Sequence, residues 1–134
     1  MIRICLVGAM LVQGAGSRAQ SVTMTVGPNV NISKSFGDNA EETIAINPKN
    51  PANLFASETY LLVTRFSLDG GLTWSNRDVS ALGSSDGDVS AAWDDFGNLF
   101  LVRLSSGLYQ VVVGVSTNGG TTFRLLYKSN LPDR

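Results

Sequence analysis

Two groups of carboxylates are the residues of this chain best placed to do chemistry. Asp38, Glu41 and Glu42 precede one apolar stretch, and Asp86 and Asp88 precede another. Carboxylates paired on one face can share general-acid and general-base work, or surround a hard cation with oxygen ligands. Spacing alone sets no ligand geometry, and short solvated acidic loops that keep sheet edges from pairing are the simpler account. Glu42 and Asp88, at the entrances of the two stretches, are the candidates for catalysis, and neither a metal site nor a cofactor is implied. Histidine is absent from all 134 residues. That removes the commonest general base, the commonest metal ligand, and every Ser-His or Cys-His arrangement.

The elements that must position these acids are short strands. Apolar residues make up 43% of the chain and charged ones 16%, which speaks against disorder. A net charge of −1 provides no electrostatic footprint for nucleic acid. At the N-terminus, Arg3, the apolar run 4–12 and Ser17-Arg18-Ala19 have the layout of a secretory signal peptide over residues 1–19. Cleavage after Ala19 predicts a secreted or periplasmic protein with no membrane attachment. Cys5 would leave with the leader. Without Arg3 and Arg18, eight Lys/Arg face eleven Asp/Glu, a net charge of −3.

One unit occurs twice. Glu42-Thr-Ile-Ala-Ile-Asn47 matches Val89-Ser-Ala-Ala-Trp-Asp94, Asn53-Leu-Phe-Ala56 matches Asn98-Leu-Phe-Leu101, and Ser67–Trp74 matches Ser116–Phe123. The offsets Thr43/Ser90, Asn53/Asn98 and Ser67/Ser116 are 47, 45 and 49 residues. A period of about fifty residues with several strands per unit belongs to propellers. The pattern predicts strands near 42–46, 53–58, 61–67 and 73–79, and again near 89–93, 98–103, 109–116 and 122–127. A further alternating stretch, Val22–Val26, ends at Gly27-Pro28. Pro48, Pro51, Asn47 and Asn50 form a turn that no strand or helix continues through. Asp94-Asp95-Phe96-Gly97-Asn98 reads as a turn between strands, not a calcium loop. Trp93 reads as core, not a sugar-stacking platform.

Between the third and fourth strands lies Ser67-x-Asp69-x-Gly71-x-Thr73-Trp74, repeated as Ser116-x-Asn118-x-Gly120-x-Thr122-Phe123. The chemistry these residues suit is that of a hairpin turn. A Ser hydroxyl and an Asp carboxylate accept from N–H groups that the strands leave unpaired. Gly70 and Gly71 supply the positive φ, and Trp74 supplies an apolar ring for packing between neighbouring sheets. Asn118 keeps the acceptor but not the charge, so the second turn is expected to be held less firmly.

The two boxes, with the matched strand openings, resemble the sialidase-type Asp-box (BNR-repeat) β-propeller family over residues 38–127. The resemblance implies an all-β fold of four-stranded antiparallel propeller blades, about 42–79 and 89–127, within a segment spanning 20–134. Two blades do not close a ring, which takes at least about four. The chain is therefore expected to be an incomplete propeller, with remaining blades or self-association covering its sheet edges. Family members that cleave sialosides are similar in using three arginines on the substrate carboxylate, a Tyr-Glu nucleophile pair and an Asp acid/base, on the face opposite the Asp-boxes. No Arg-Ile-Pro-like motif occurs here, and Arg65, Arg77, Arg103 and Arg124 are dispersed within or beside strands. No catalytic position carries over. The resemblance implies a secreted module that binds a glycan or an extracellular protein. The alternative is the front part of an exo-sialidase-type glycoside hydrolase.

Overall fold

The computed structural model describes residues 29–34, 40–60, 62–105 and 110–130. The leader over 1–19, the stretch Val22–Val26 and Asp38 lie outside the described residues. The chain divides into two compact units, Met1–Val30 and Asn31–Arg134, and all the strands among the described residues belong to the second.

The second unit is all-β. Strands β1 (Thr43–Ile46), β2 (Leu54–Ser57), β3 (Val63–Ser67) and β4 (Ser75–Asp78) form one antiparallel sheet in the order β1-β2-β3-β4. Strands β5 (Gly87–Trp93), β6 (Leu99–Ser105), β7 (Gln110–Ser116) and β8 (Arg124–Asn130) form a second in the order β5-β6-β7-β8. The only helical piece among the described residues is a single 3₁₀ turn, Ser80–Leu82. Each strand overlaps its expected range to within two or three residues at either end, as an end defined by fraying allows.

The β1–β2 and β5–β6 turns are built alike. Asn47 N–H donates to Asn53 O at 3.0 Å, and Asp94 N–H donates to Asn98 O at 3.0 Å. The Asn47 side-chain oxygen accepts from Lys49 N–H at 2.9 Å, and Asp94 Oδ1 accepts from Phe96 N–H at 2.9 Å. These are Asx turns, in which the side chain substitutes for a backbone carbonyl. Asp94 Oδ2 takes the Asn98 amide at 2.7 Å, and hydrogen bonding from Asn98 holds its carboxyl below the usual range.

Alternation along the strands sets up a core between the two sheets. Ala45, Phe55 and Phe66 stand opposite one another across β1, β2 and β3. They face Leu99, Leu101 and Val112, with Val79 and Leu82 of the connection completing the buried cluster. Phe55 is fully buried and its ring lies 5.5 Å from that of Phe123, tilted by 57°. Trp93 packs against the same cluster. The strands β1 and β5 run beside each other, joined where Ala91 N–H donates to Thr43 Oγ1 at 3.2 Å. Gly114, in the middle of β7, leaves the room that Leu82 occupies: a Cβ there would stand 2.5 Å from Leu82 Cδ1.

Candidate functional site

The two box turns share one hydrogen-bond plan. In the first, Ser67 Oγ donates to Asp69 Oδ1 at 2.7 Å and accepts from Gly71 N–H at 2.8 Å and Asp69 N–H at 3.3 Å. Asp69 Oδ1 accepts from Thr73 N–H at 2.9 Å, and Oδ2 accepts from the Thr73 hydroxyl. Trp74 Nε1 donates to Gly71 O at 3.1 Å. In the second, Ser116 Oγ donates to Asn118 Oδ1 at 3.0 Å and accepts from Gly120 N–H at 3.0 Å, while Asn118 Oδ1 accepts from Thr122 N–H at 3.0 Å. One bond reverses. The Asn118 amide donates to Thr122 Oγ1 at 2.8 Å, because an amide nitrogen stands where Asp69 has an acceptor oxygen. Gly70, Gly71, Gly119 and Gly120 all have φ between 75° and 91°.

Both oxygens of Asp69 are thus occupied by its own turn. Hydrogen bonds from the Thr73 hydroxyl and Thr73 N–H, then from Ser67, hold its carboxyl down at about 2. Because the folded value is depressed, the stabilisation is fully present above the ordinary value of 3.8 and is lost as pH falls through about 2. The urea midpoint of Asp69→Asn is therefore expected below that of the parent at neutral pH, with the gap closing as pH approaches about 2. An unchanged midpoint at neutral pH together with lost ligand binding would make the box a site and not a staple.

The aromatic residues that end the boxes have different surroundings. Phe123 is packed against the inter-sheet core beside Phe55. Trp74 is half-buried over its own turn, on the side of the first sheet away from the second, with its Nε1 on Gly71 O. The packing between sheets expected of Trp74 is made, among the described residues, by Phe123.

The other end of the first sheet carries a pocket of about 160 Å³. Ile44, Ala56 and Val63 form its apolar floor, Ile32 and Ser33 close one side, and Glu42, Glu58 and Arg65 supply the polar groups. Ile44, Ala56 and Arg65 stand opposite one another across β1, β2 and β3, on the face turned away from the second sheet. Arg65 is buried, with Nη1 donating to Val63 O at 2.9 Å and Nη2 to Ser33 O at 2.9 Å. Glu58 is also buried, and its Oε1 has no hydrogen-bond partner among the described residues. Burial pushes the Glu58 carboxyl up; Arg65 opposes the rise and Glu42 adds to it. Nearby, the Thr59 hydroxyl donates to Glu41 Oε2 at 2.7 Å.

Of the two catalytic candidates, Glu42 lines this pocket and Asp88 does not. Asp88 is exposed at a β-bulge between Gly87 and Val89 on β5. The pocket roles of Glu58 and Arg65 have no counterpart among the residues that type and spacing single out. A charge two residues after the apolar run Leu54-Phe55-Ala56 was the available signal for Glu58. Its repeat partner, Arg103, is buried as well, with Nη2 donating to Val79 O at 3.0 Å and Gly83 O at 2.6 Å. Burial lowers the Arg103 pKa, with Asp86 acting in the opposite direction.

The pocket offers acceptors. Each terminal nitrogen of its one guanidinium donates to a backbone carbonyl, and the lining adds the carboxyls of Glu42 and Glu58 and the hydroxyls of Thr43 and Ser57. The two carboxyls suit donors, namely hydroxyl groups. No group of three potential metal-ligating side chains gathers among the described residues, and none of their helices is long and apolar enough to cross a membrane. Comparison of the chain with protein families, characterised proteins and solved structures gives no match.

Proposed function

We propose that this chain is a secreted ligand-binding module, built as two blades of a sialidase-type Asp-box β-propeller and without a complete catalytic set of its own. The observation that carries the reading is the duplicated turn: one plan of Ser, Asx, Gly and Thr hydrogen bonds, at the same place in two sheets of the same strand order. The ligand class is a glycan or a hydroxyl-rich segment of an extracellular protein. The polar end of the pocket, Glu42 and Glu58, is its seat, at the end of the first sheet opposite the Asp-box. One guanidinium in the pocket lining falls short of the three arginines that sialoside-cleaving members of the resembled family set on the substrate carboxylate.

A panel of immobilised neutral and sialylated glycans tests this reading. We expect retention on neutral glycans, weakened about tenfold or more in Glu42→Ala/Glu58→Gln, the loss of a hydrogen bond to a charged group being worth roughly 1.5–3 kcal/mol. No turnover of an aryl sialoside above buffer is expected. Turnover that disappears on replacing Glu42 or Asp88 by Ala would instead establish the glycoside hydrolase reading, to which the acids at the strand entrances lend support.

A further inference from the structure

We infer that Arg65 is a two-position switch in the pocket wall. It holds the Ser33 carbonyl while Glu58 is protonated and turns to the Glu58 carboxylate once that group ionises, so the Ile32–Ser33 side of the pocket is released as pH rises. The switch belongs to the chain whatever the pocket binds, and its test uses no ligand.

Glu58 and Arg65 line the same pocket, and each is only 8% exposed. Arg65 stands opposite Ala56, two residues before Glu58 in the chain. Diagonal neighbours of that kind lie about 7–8 Å apart, within reach of long side chains. The guanidinium nevertheless points elsewhere. Nη1 donates to Val63 O at 2.9 Å and Nη2 to Ser33 O at 2.9 Å, while Nε is buried with no partner. Glu58 Oε1 is buried with no partner as well. A cationic donor and a carboxyl acceptor thus stand unmatched in one lining, and the bond to Ser33 is what ties the Ile32–Ser33 side to β3.

The charges around Glu58 explain why the pair is unmade. Burial disfavours its ionised form and pushes the carboxyl up, Arg65 opposes the rise, and Glu42 adds to it. Thr43 stands opposite Ser57, and Glu42 and Glu58 are the next residue beyond on each strand. From β4, Asp78 stands opposite Val63 and accepts from Ser80 N–H at 2.7 Å, while Arg77 alternates to the other face. Glu41 is tied to the Thr59 hydroxyl, and Lys34, next to Ser33, is exposed. Protonated, Glu58 makes no demand on the guanidinium. Ionised, it needs a donor, and a forked pair between two charged groups outcompetes a single bond to a carbonyl. Because the buried value is raised, the tethered state is fully favoured below the ordinary value of 4.5. It loses that advantage as pH rises through the raised one.

The second sheet has the tether without the switch. Arg103 Nη2 holds Val79 O and Gly83 O of the connection before β5, as Arg65 Nη2 holds Ser33 O before β1. The residue at the place of Glu58 in that repeat is Arg103 itself. No buried carboxyl among the described residues competes for its guanidinium, and Asp86, the charge that acts on it, is exposed.

A single thiol in the wall tests the switch. Ile32 is half-buried, and Ile32→Cys combined with Cys5→Ser leaves one cysteine in the full chain. Its rate of modification by a disulfide reagent that reacts in acid as well as at neutral pH is divided, at each pH, by the rate in the same chain carrying Glu58→Gln. The division cancels the ionisation of the thiol itself. The ratio is expected near one at about pH 4 and to rise about tenfold for each unit by which burial lifts the Glu58 carboxyl. A ratio that stays flat from about pH 4 to about pH 8 overturns the inference. Carbon NMR of the unsubstituted chain gives a second measurement that needs no change in the wall. The Glu58 carboxyl and the Ser33 carbonyl are expected to titrate with one midpoint above 4.5. A Glu58 midpoint at or below 4.5, or a Ser33 carbonyl that does not follow it, overturns the inference as well.

Discussion

Phe55→Ala is expected to cost about 3–5 kcal/mol of folding stability, close to the upper end for a single truncation in a core. The ring is fully buried between the sheets, stands opposite Ala45 and Phe66, and packs edgewise on Phe123. Removing it opens a cavity that touches both sheets at once, so neither can relax to fill it without parting from the other. Against a total stability of roughly 5–15 kcal/mol, such a loss reaches the threshold of unfolding at ambient temperature. Urea unfolding followed by circular dichroism measures it, with Phe96→Ala as control because Phe96 is 89% exposed. A loss under about 1 kcal/mol, no larger than that of an ordinary surface change, would mean that the sheets do not pack through this residue.

Gly120→Ala is expected to be the second most damaging of these changes, at about 2–5 kcal/mol, from two separate causes. The backbone there has φ of 85°, a region in which a Cβ costs roughly 1–2 kcal/mol. The added carbon would also stand 3.1 Å from Phe55 Cδ2 and 3.3 Å from Leu99 Cδ2, where crowding in a packed core adds about 1–3 kcal/mol. Gly70→Ala separates the two. Its φ is 75°, yet no atom lies within 4 Å of the added Cβ, so it bears the backbone cost alone. Equal midpoints for the two variants would show that the second box turn does not press on the first sheet.

The turns were legible in the sequence because their chemistry is local. Ser67 reaches Gly71, Asp69 reaches Thr73, and Asp94 reaches Asn98, all within four residues, so residue type and spacing contain nearly the whole interaction. The strands between them were legible for a related reason: a unit repeated twice with matching turns admits one antiparallel order with short connections.

Which face of each strand is covered was decided only by the tertiary structure. Strand alternation distinguishes two faces but does not rank them when both are apolar, as Ala45 and Phe55 on one side and Ile44 and Ala56 on the other show. The two boxes end in aromatics of equal promise, yet Phe123 meets Phe55 while Trp74 caps its own turn, since only one side of the first sheet meets the second. Glu58 and Arg65 gave no sign of sharing a pocket. The Arg65 guanidinium reaches the carbonyl of Ser33, thirty-two residues earlier in the chain. Sequence by itself determined the repeat, the strands and the turn chemistry, because each rests on neighbours a few residues away. The tertiary structure decided the core face, the buried charges and the pocket, because each depends on groups that meet only when distant segments pack and exclude water.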